Sequence, residues 1–306
     1  RIRPDLAILM ESELWPEHLY QARCRRVPVL LVNARMSDRS FNRAKGVTWA
    51  YRQILQSLAG LAASGQLDLE RYLELGIPEK QATCTGNLKL DIDPGPELTD
   101  AAKKTLLEEI GFEENLPVIL GSSTWPGEEV ALLNAFQQLL DEGVDCRLLL
   151  VPRHAERRNE VRKILEGQQH PWHFRTDCPS PKNTVKIYVA DTTGELRNFT
   201  QLATVAFIGK TLPPNEGSQT PIEAAAFGVP SLFGPATSNF RIICSQLEET
   251  GASIQITDAK ALLPNLRKLL RNPGRLQKMS NAARSWHQTN LGATERTLDF
   301  LSTHLP

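Results

Sequence analysis

Four short segments of the chain combine hydroxyl, basic or acidic side chains with glycine or proline, directly after apolar runs typical of strands. These segments are residues 121–128, 152–154, 191–195 and 217–223. In doubly wound sheets, ligands bind outside the carboxyl ends of the strands, where helix N-termini present unpaired N–H groups. Because all four segments hold donors for an anion in that position, together they indicate a phosphate-bearing ligand such as a nucleotide.

The first two segments offer hydroxyl and guanidinium donors. In Gly121-Ser-Ser-Thr-Trp-Pro-Gly-Glu128, the hydroxyls of Ser123 and Thr124 can donate to an anion; the alternative is an ordinary helix N-cap with proline at the first helical position. In Pro152-Arg-His154, the planar fork of Arg153 can bind two oxygens of a phosphate or carboxylate. The alternative is an exposed surface arginine, but the place after a strand favours binding.

The other two segments contain capping-box patterns, which by themselves are structural. In Asp191-Thr-Thr-Gly-Glu195, Gly194 is predicted in the first helical turn, where the missing side chain would let a phosphate approach the backbone closely. In Gly217-Ser-Gln-Thr-Pro-Ile-Glu223, Thr220 is predicted as N-cap, with proline at the first helical position and glutamate at the third. Glu223 is also well placed to accept hydrogen bonds from ribose hydroxyls.

The elements that must position these segments follow from an alternation of short apolar runs with amphipathic stretches such as residues 127–140. Most of the apolar runs are β-branched or Leu-rich without polar alternation, as in strands buried on both faces. This rhythm predicts an α/β protein with doubly wound parallel sheets. The predicted strands are 6–10, 28–32, 58–62, 82–85, 117–120, 147–151, 185–189, 204–208, 230–233 and 253–256.

The length of 306 residues fits two domains, each able to bury a core. Two prolines, a glycine and three acids in 91–97 predict a linker at 91–98. We predict a partial Rossmann-like domain over 1–90, which holds only three or four strands, and a complete one over 99–288. Residues 259–304 predict three helices, and the last, within 289–306, is long enough to pack back on the first domain.

Charge and cysteine content exclude several classes of protein. The 35 Lys and Arg residues balance 35 Asp and Glu residues, which argues against a bulk nucleic-acid binder. Five scattered cysteines without a C-x-x-C pair argue against a zinc site or a disulfide framework. No apolar run approaches the ~18 residues of a membrane span, so we expect a soluble, cytoplasmic protein.

The charge is unevenly distributed. Residues 1–52 hold ten Lys and Arg residues, Arg1 among them, against five Asp and Glu residues, a local net charge of +5. Such a segment fits contact with phosphates and an anionic membrane surface. It fits a solvated helical face equally well.

Taken in chain order, the sequence resembles the Kdo (3-deoxy-D-manno-octulosonic acid) transferase family of lipopolysaccharide biosynthesis. Glu11-Ser-Glu-Leu-Trp-Pro16 resembles the family's Glu-Thr-Glu-Leu-Trp-Pro. Val32-Asn-Ala-Arg-Met-Ser-Asp-Arg-Ser40 is similar to its Asn-Ala-Arg-x-Ser-x-Arg-Ser, and Thr85-Gly-Asn-Leu-Lys-Leu-Asp91 to its Thr-Gly-Asn-Leu-Lys-Phe-Asp. The resemblance continues through Pro152-Arg-His154, Gly194-Glu195, Pro221-Ile-Glu223, Ala226-Phe-Gly228 and Phe233-Gly-Pro235.

The resemblance implies a GT-B architecture, with two Rossmann-like domains facing a cleft and the first domain incomplete here. It implies an inverting transfer of Kdo from CMP-Kdo to a lipid A precursor at the cytoplasmic face of the bacterial inner membrane, in peripheral contact with that membrane, with no metal, other cofactor or nucleic acid. The residues that would bind the donor are Ser123, Thr124, Pro152, Arg153, His154, Thr193, Gly194, Glu195, Thr220, Pro221, Ile222 and Glu223.

Five residues of the first domain are assigned by the same resemblance. Glu13 and Lys89 would assist the transition state, and Glu11, Asn33 and Arg35 would lie on the acceptor side. Glu13 also fits a helix cap or a salt-bridge partner, with Glu11 a close competitor for its role. Lys89 also fits a solvated linker lysine.

The chain departs from the family at several positions. Gln219 and Thr220 replace His and Asn, Thr193 replaces Met, and Trp125 replaces a His. The family's base is a Glu in a Gly-rich segment near the N terminus, preceded by a membrane-anchoring helix. Neither is in this chain, so we expect a fragment or a diverged member with uncertain activity of its own. The alternatives are another GT-B enzyme, a UDP-sugar transferase or a sugar-nucleotide 2-epimerase, or a CMP-sugar-binding remnant without turnover.

Overall fold

Two compact units make up the chain in the computed structural model, which describes residues 3–91 and 94–305. One unit is Arg1–Asp93 together with Asn290–Pro306, and the other is Pro94–Thr289. Arg1 of the basic segment, and Ile92 and Asp93 of the predicted linker, lie outside the described residues. The rest of that predicted linker after this gap, 94–98, contains neither helix nor strand.

The described residues form two sheets in which every ladder is parallel, so the prediction of an α/β protein with parallel sheets is confirmed. The strands are β1 Ala7–Met10, β2 Val29–Ala34, β3 Gly60–Ala63, β4 Ala82–Cys84, β5 Val118–Thr124, β6 Arg147–Pro152, β7 Trp172–Phe174, β8 Ile187–Val189, β9 Val205–Ile208, β10 Ser231–Phe233 and β11 Ser253–Gln255. All ten predicted strands are present, with shifts of one to four residues at their ends.

The described residues form thirteen α-helices, of which ten lie between strands and the last three follow β11. They are α1 Pro16–Arg25, α2 Asp38–Lys45, α3 Thr48–Leu55, α4 Gln66–Glu74, α5 Asp100–Glu109, α6 Glu128–Asp141, α7 Arg158–Leu165, α8 Leu196–Thr200, α9 Ile222–Ala226, α10 Arg241–Glu249, α11 Leu262–Leu270, α12 Pro273–Asn290 and α13 Ala293–Ser302. Short 3-10 helices occupy Glu79–Gln81, Leu88–Asp91, Ala155–Arg157 and Ala259–Ala261. Within the described ranges, no helix combines the length and apolar character needed to cross a bilayer.

The first unit contains a four-stranded sheet in the order β1-β2-β3-β4. All six residues of β2 are buried, as expected for an inner strand that lies between β1 and β3. Helix α13 belongs to this unit and packs near the 3-10 helix Leu88–Asp91.

Asp91 caps helix α13 inside this first unit. Its carboxylate accepts hydrogen bonds from the backbone N–H groups of Gly292, at 2.7 Å, and Thr294. Burial alone raises the pKa of Asp91, but these N–H groups lower it below its ordinary value. The acid at the start of the predicted linker is therefore part of a helix terminus.

The second unit contains a seven-stranded sheet in the order β11-β10-β9-β5-β6-β8-β7. Alternate residues of its central strands enter two cores, one on each face: Leu148 and Leu150 lie in one, Leu149 and Val151 in the other. This double burial explains why the strands have no polar alternation in sequence. The edge strand β7 was not predicted, because three residues, Trp-His-Phe, between polar segments give no strand pattern.

Candidate functional site

The carboxyl edge of the seven-stranded sheet brings three of the predicted ligand segments together. The chain leaves β5 for β6 on one side and later returns on the other side of β5 as β9. Such a reversal leaves a crevice outside the carboxyl ends of β5 and β9, and open α/β sheets bind their ligands in such a crevice. The candidate site of this unit is therefore formed by the residues that follow β5, β6 and β9.

Arg153 lies at the centre of this edge. Its backbone N–H donates to the carbonyl of Thr124 at 3.1 Å, which ties the ends of β5 and β6 together. Its side chain is exposed, and across residues 3–91 and 94–305 no carboxylate pairs with it. An unpaired guanidinium beside a strand end is able to bind two anionic oxygens at once.

His154 lies against an aromatic neighbour rather than standing alone. Its ring meets Trp125 edge-on, with centroids 5.2 Å apart, and its Nδ1 lies 3.2 Å from a carboxylate oxygen of Glu156. Pro152 before it ends strand β6 and is buried. His154 and Trp125 therefore form one aromatic wall at the ends of β5 and β6.

The two hydroxyls predicted to contact a ligand differ in their surroundings. The Thr124 hydroxyl is buried and donates to Glu129 Oε1 at 2.9 Å. Glu129 also accepts from Arg157, at 2.7 Å. Thr124 is thus engaged within the protein, whereas Ser123 beside it is half-buried at the strand end.

The start of helix α6 corrects one interpretation of this segment. Strand β5 extends through Thr124, and α6 begins at Glu128 after Gly127, whose φ is +89°. Pro126 consequently lies in the turn between them and not at the first helical position. Residues other than glycine rarely adopt the positive φ found at Gly127, which explains the glycine there.

Glu128 is a buried carboxylate that sequence reasoning missed. It accepts four backbone hydrogen bonds, from Trp125 at 2.9 Å, Lys210 at 2.8 Å, Thr211 at 2.8 Å and Leu212 at 3.1 Å. Burial raises the pKa of Glu128 although these N–H groups oppose the rise. The carboxylate therefore holds the turn after β9 against the turn after β5.

The turn at 191–195 presents backbone to solvent. Gly194 has a φ of +88°, and a Cβ built there would meet open space. Thr193 and Gly194 are both exposed, so their N–H groups are accessible to a ligand. The glycine is explained by its positive φ and by the open approach to its backbone.

Glu195 is fixed by an arginine that the sequence did not single out. Arg175 donates to both carboxylate oxygens, at 2.7 and 2.6 Å, and the Thr192 hydroxyl donates to Oε2. Burial raises the pKa of Glu195, but the hydrogen bonds from Arg175 and Thr192 outweigh it and lower the pKa. Helix α8 begins at Leu196 with Glu195 as its N-cap residue, so the predicted capping box is not formed, and Gly194 lies before the helix instead of in its first turn.

Residues 217–223 are anchored to the end of β9. The Ser218 N–H donates to the Lys210 carbonyl and the Gln219 N–H to the Gly209 carbonyl, each at 2.9 Å. Helix α9 begins at Ile222, one residue later than predicted, with Pro221 as the N-cap residue. The Thr220 hydroxyl still accepts from the Ile222 N–H at 3.2 Å.

Glu223 has the least satisfied carboxylate of this edge. Its Oε2 is buried and has no hydrogen-bond partner among the described residues, and its Oε1 lies 4.0 Å from Arg197 Nε. Burial raises the pKa of Glu223, and Arg197 opposes the rise only in part. A buried acceptor without a donor is costly, and a hydroxyl-bearing ligand would remove that cost.

Strained backbone accompanies the strand ends in both units. Four non-glycine residues there have positive φ: Glu11 at +60°, Asn33 at +50°, Ser123 at +52° and Lys210 at +61°. Each such residue costs on the order of 1–3 kcal/mol and persists only where its surroundings enforce it. Strain of this kind clusters at binding and catalytic sites.

The first unit groups three predicted residues around one carboxylate. Glu11 Oε1 lies 3.5 Å from an Arg35 guanidinium nitrogen and 3.3 Å from Lys89 Nζ. Asn33 is buried, and its Oδ1 accepts from the Leu88 N–H at 3.2 Å, which positions the segment bearing Lys89. The result is a partly exposed carboxylate flanked by two cations at the carboxyl ends of β1 and β2.

Glu13 lies outside this group. Its Oε2 accepts a 2.6 Å hydrogen bond from the Trp15 indole, and both side chains are exposed. The N-cap residue of α1 is Trp15, without a side-chain cap, so Glu13 is not the cap of that helix. The structure thus brings Lys89 together with Glu11 and not with Glu13.

No cluster of three or more His, Cys, Asp or Glu side chains suited to a metal ion occurs in residues 3–91 and 94–305. The two sheet edges present cations, hydroxyls, backbone N–H groups and carboxylates to a ligand.

Sequence comparison finds relatives along almost the whole chain. Residues 1–92 match the model of a family described as 3-deoxy-D-manno-octulosonic-acid transferase (kdotransferase). The Haemophilus influenzae protein named 3-deoxy-D-manno-octulosonic acid transferase is 30% identical over 99% of this chain and 70% of its own length. The Bordetella pertussis protein of the same name is 33% identical over 100% of this chain and 70% of its own length.

Comparison with solved structures finds a Kdo-related domain and also enzymes of other kinds with a similar fold. The structure described as the C-terminal CMP-Kdo binding domain of WaaA from Acinetobacter baumannii superimposes with a TM-score of 0.56 at 27% identity, over 61% of this chain and 96% of that one. UDP-GlcNAc 2-epimerase from Neisseria meningitidis gives a TM-score of 0.61 at 14% identity, over 98% and 76%. At that identity the epimerase shows only that the GT-B fold is shared.

Proposed function

The chain belongs to the 3-deoxy-D-manno-octulosonic acid transferase family, and from this premise we propose that it transfers Kdo from CMP-Kdo to a lipid A precursor. In that reaction the bond between the anomeric carbon of Kdo and the phosphate oxygen breaks and CMP leaves. An acceptor hydroxyl bonds to the same carbon from the opposite face, and its proton passes to a base. The family, named for the transfer of 3-deoxy-D-manno-octulosonic acid, is shown by relatives at 30–33% identity over at least 99% of the chain.

The observation that supports a nucleotide donor best is the unpartnered Oε2 of Glu223. It lies on the segment anchored to the end of β9, in the same unit as the exposed guanidinium of Arg153. We assign Glu223 to the ribose hydroxyls and Arg153 to the phosphate. Binding would supply Glu223 with the donors that it lacks and Arg153 with an anion.

The remaining donor contacts follow the same logic. The exposed N–H groups of Thr193 and Gly194 suit a phosphate or base oxygen, while Glu195 is held by Arg175 and keeps the turn in place. The Thr220 hydroxyl fixes the start of α9, so that Glu223 is held within its first turn. No metal or cofactor has a part in this proposal, because the cations of the chain can balance the charge that develops on CMP.

The first unit supplies the groups proposed for the acceptor side and for the transition state. Lys89 and Arg35 flank Glu11, and the strained φ of Glu11 holds that carboxylate at the strand end. We propose that Lys89 stabilises negative charge in the transition state and that Glu11 orients Lys89. Glu13, which bonds to Trp15, would act through a separate contact.

The lipid A precursor and peripheral contact with the inner membrane are proposed from the first unit's surface. Arg23, Arg25 and Arg26 end helix α1 on an exposed surface, and Trp49 is 71% exposed on α3. Arginine attracts lipid phosphates, and tryptophan favours the membrane–water interface. Sedimentation with anionic but not with zwitterionic vesicles would support this contact, whereas equal binding to both would contradict the electrostatic part.

Transfer itself is tested by incubating the protein with CMP-Kdo and a lipid A precursor and measuring the mass of the lipid product by mass spectrometry. We expect a gain of one or more Kdo units and stoichiometric release of CMP. Conversion of a UDP-sugar, with no Kdo gain, would assign the chain to the epimerases or UDP-sugar transferases. Binding of CMP-Kdo without any transfer would assign it as a binding remnant.

A further inference from the structure

Lys210 stands out among the residues at the crevice because neither the predicted donor site nor the proposed reaction has used it. It follows β9, and its ammonium nitrogen lies 4.6 Å from the centroid of the Trp125 ring, which follows β5. These two strands are the pair between which the order of the sheet reverses. A cation held on an aromatic face therefore lies at the place where the fold binds ligands.

The backbone of Lys210 is held in a conformation that lysine rarely adopts. Its φ is +61°, its N–H donates to Glu128 at 2.8 Å, and its carbonyl accepts from Ser218 at 2.9 Å. Glycine would fit this conformation without strain. The chain nevertheless has lysine there, on the same backbone network that anchors the segment with Thr220 and Glu223.

The ammonium group is available to a ligand. Lys210 is only half-buried, and throughout residues 3–91 and 94–305 no carboxylate forms an ion pair with it. The nearby Glu128 is already engaged by four backbone N–H groups. The contact with Trp125 restricts the ammonium without neutralising its charge.

We propose that Lys210, resting on Trp125, is a further donor-binding residue whose ammonium group binds an anionic oxygen of the sugar nucleotide. The inference rests on the proposed CMP-Kdo donor, which has two anionic groups, a phosphate and the carboxylate of the sugar. Arg153 and Lys210 supply two cations from the ends of β6 and β9. The contact of Lys210 is to one of these two anionic groups.

Calorimetric titrations of the whole chain with cytidine, CMP and CMP-Kdo test the proposal and separate the two groups. Lys210→Met keeps the aliphatic stem on Trp125 and removes the charge, and Lys210→Arg restores a cation. Loss of one charge-assisted contact weakens binding by about tenfold or more. Lys278→Met, which removes an exposed lysine from helix α12 of the same unit, is the matched control.

Weaker binding of both CMP and CMP-Kdo by Lys210→Met, with cytidine unchanged, would assign the contact to the phosphate. Weaker binding of CMP-Kdo alone would assign it to the sugar carboxylate. In either case Lys210→Arg should recover affinity, and the salt dependence of the affected binding should be shallower in Lys210→Met, which a purely structural role would not cause.

If Lys210→Met binds CMP and CMP-Kdo as the unaltered protein does, while Arg153→Ala weakens both, the assignment of Lys210 is overturned and the proposed function stands. If the unaltered protein binds neither nucleotide, the proposed function fails and this inference with it. Unfolding curves without ligand should coincide for the unaltered protein and Lys210→Met, since both residues meet the same backbone strain.

Discussion

The Lys210 backbone N–H donates a 2.8 Å hydrogen bond to the carboxylate of Glu128, 82 residues earlier in the chain. Three further N–H groups, from Trp125, Thr211 and Leu212, converge on the same carboxylate. One buried acid thereby joins the turns after β5 and β9, the two strands that border the proposed donor crevice. The geometry of that crevice therefore depends on a side chain to which no ligand contact is assigned.

Replacing Glu128 with alanine should destabilise the second unit strongly. Four N–H groups, two of them buried and two partly buried, would lose their acceptor, and each unsatisfied buried group costs ~1–3 kcal/mol, less what water restores. We expect a loss of at least ~3 kcal/mol in the free energy of unfolding measured with urea. Glu156→Ala, which removes an exposed acid near the same edge, is the control; equal stability of the two variants would contradict the role of Glu128.

Arg153→Ala should weaken CMP binding by about ten- to a hundredfold, because an exposed guanidinium without an acidic partner would lose a bidentate contact to phosphate. Calorimetry measures the change. Arg275→Ala, on helix α12 of the same unit, should leave the affinity unaltered. Full CMP affinity in Arg153→Ala would refute the phosphate assignment.

Glu223→Ala should remove the preference for ribose hydroxyls. The unaltered protein should bind CMP about tenfold more tightly than 2′,3′-dideoxy-CMP, since only CMP satisfies the buried Oε2. The variant should bind both ligands alike. A preference that survives in Glu223→Ala would mean that another residue recognises the ribose.

The stability of the ligand-free protein should depend on pH because the Glu223 carboxylate is destabilising when it is charged and buried. Burial raises the pKa of this carboxyl, so the folded state binds its proton more readily than the unfolded state does. Stability is therefore lowered above the folded pKa and regained as the pH falls through it. Glu223→Gln should melt at a higher temperature than the unaltered protein at pH 7, with the gap closing towards pH ~4; a gap independent of pH would contradict this.

The contribution of Asp91 to stability should depend on pH with the opposite sign. Its pKa is lowered by the N–H groups at the start of α13, so its stabilising effect is present above the unfolded pKa of ~3.9 and is lost as the pH falls further. Asp91→Ala should cost ~1 kcal/mol at pH 7, the usual value of a helix cap. Urea unfolding at pH 7 and pH 3 measures both, and a cost that persists undiminished at pH 3 would exclude the charge as its source.

Lys89→Met should lower the transfer rate by about a hundredfold without a matching loss of CMP affinity, as expected for a group that acts on the transition state. Kinetics with CMP-Kdo and the lipid acceptor measure the rate, and calorimetry measures the affinity. Lys80→Met, an exposed lysine of the first unit, is the control. Equal rates for the two variants would remove Lys89 from the mechanism.

Much of the architecture follows from sequence because buried parallel strands carry a strong local signal. The apolar runs around Leu30, Leu149 and Phe207 predict strands, whereas β7 is too short and too mixed in composition to be predicted. Helix starts were less predictable. Thr220 and Pro126 are residue types that often occur at helix starts. Helix α9 nevertheless begins one residue later than the local pattern predicts, and α6 begins two residues later.

The candidate site was predictable where it depends on position at a strand end, and not where it depends on distant partners. Arg153 and Glu223 could be singled out because each follows a predicted strand. Glu128 and Arg175 could not, since their roles arise from hydrogen bonds to residues 82 and 20 positions away. The contact of Lys210 with Trp125 likewise joins two strand ends that are neighbours only in the folded sheet.

Binding of CMP or of UDP distinguishes a CMP-Kdo donor from a UDP-sugar donor. Titrating the chain with each under identical conditions by calorimetry should give saturable binding of CMP and no measurable binding of UDP. Saturable binding of UDP, with CMP inert, would contradict the assignment of a CMP-Kdo donor and place the chain's chemistry with the UDP-sugar enzymes that share its fold.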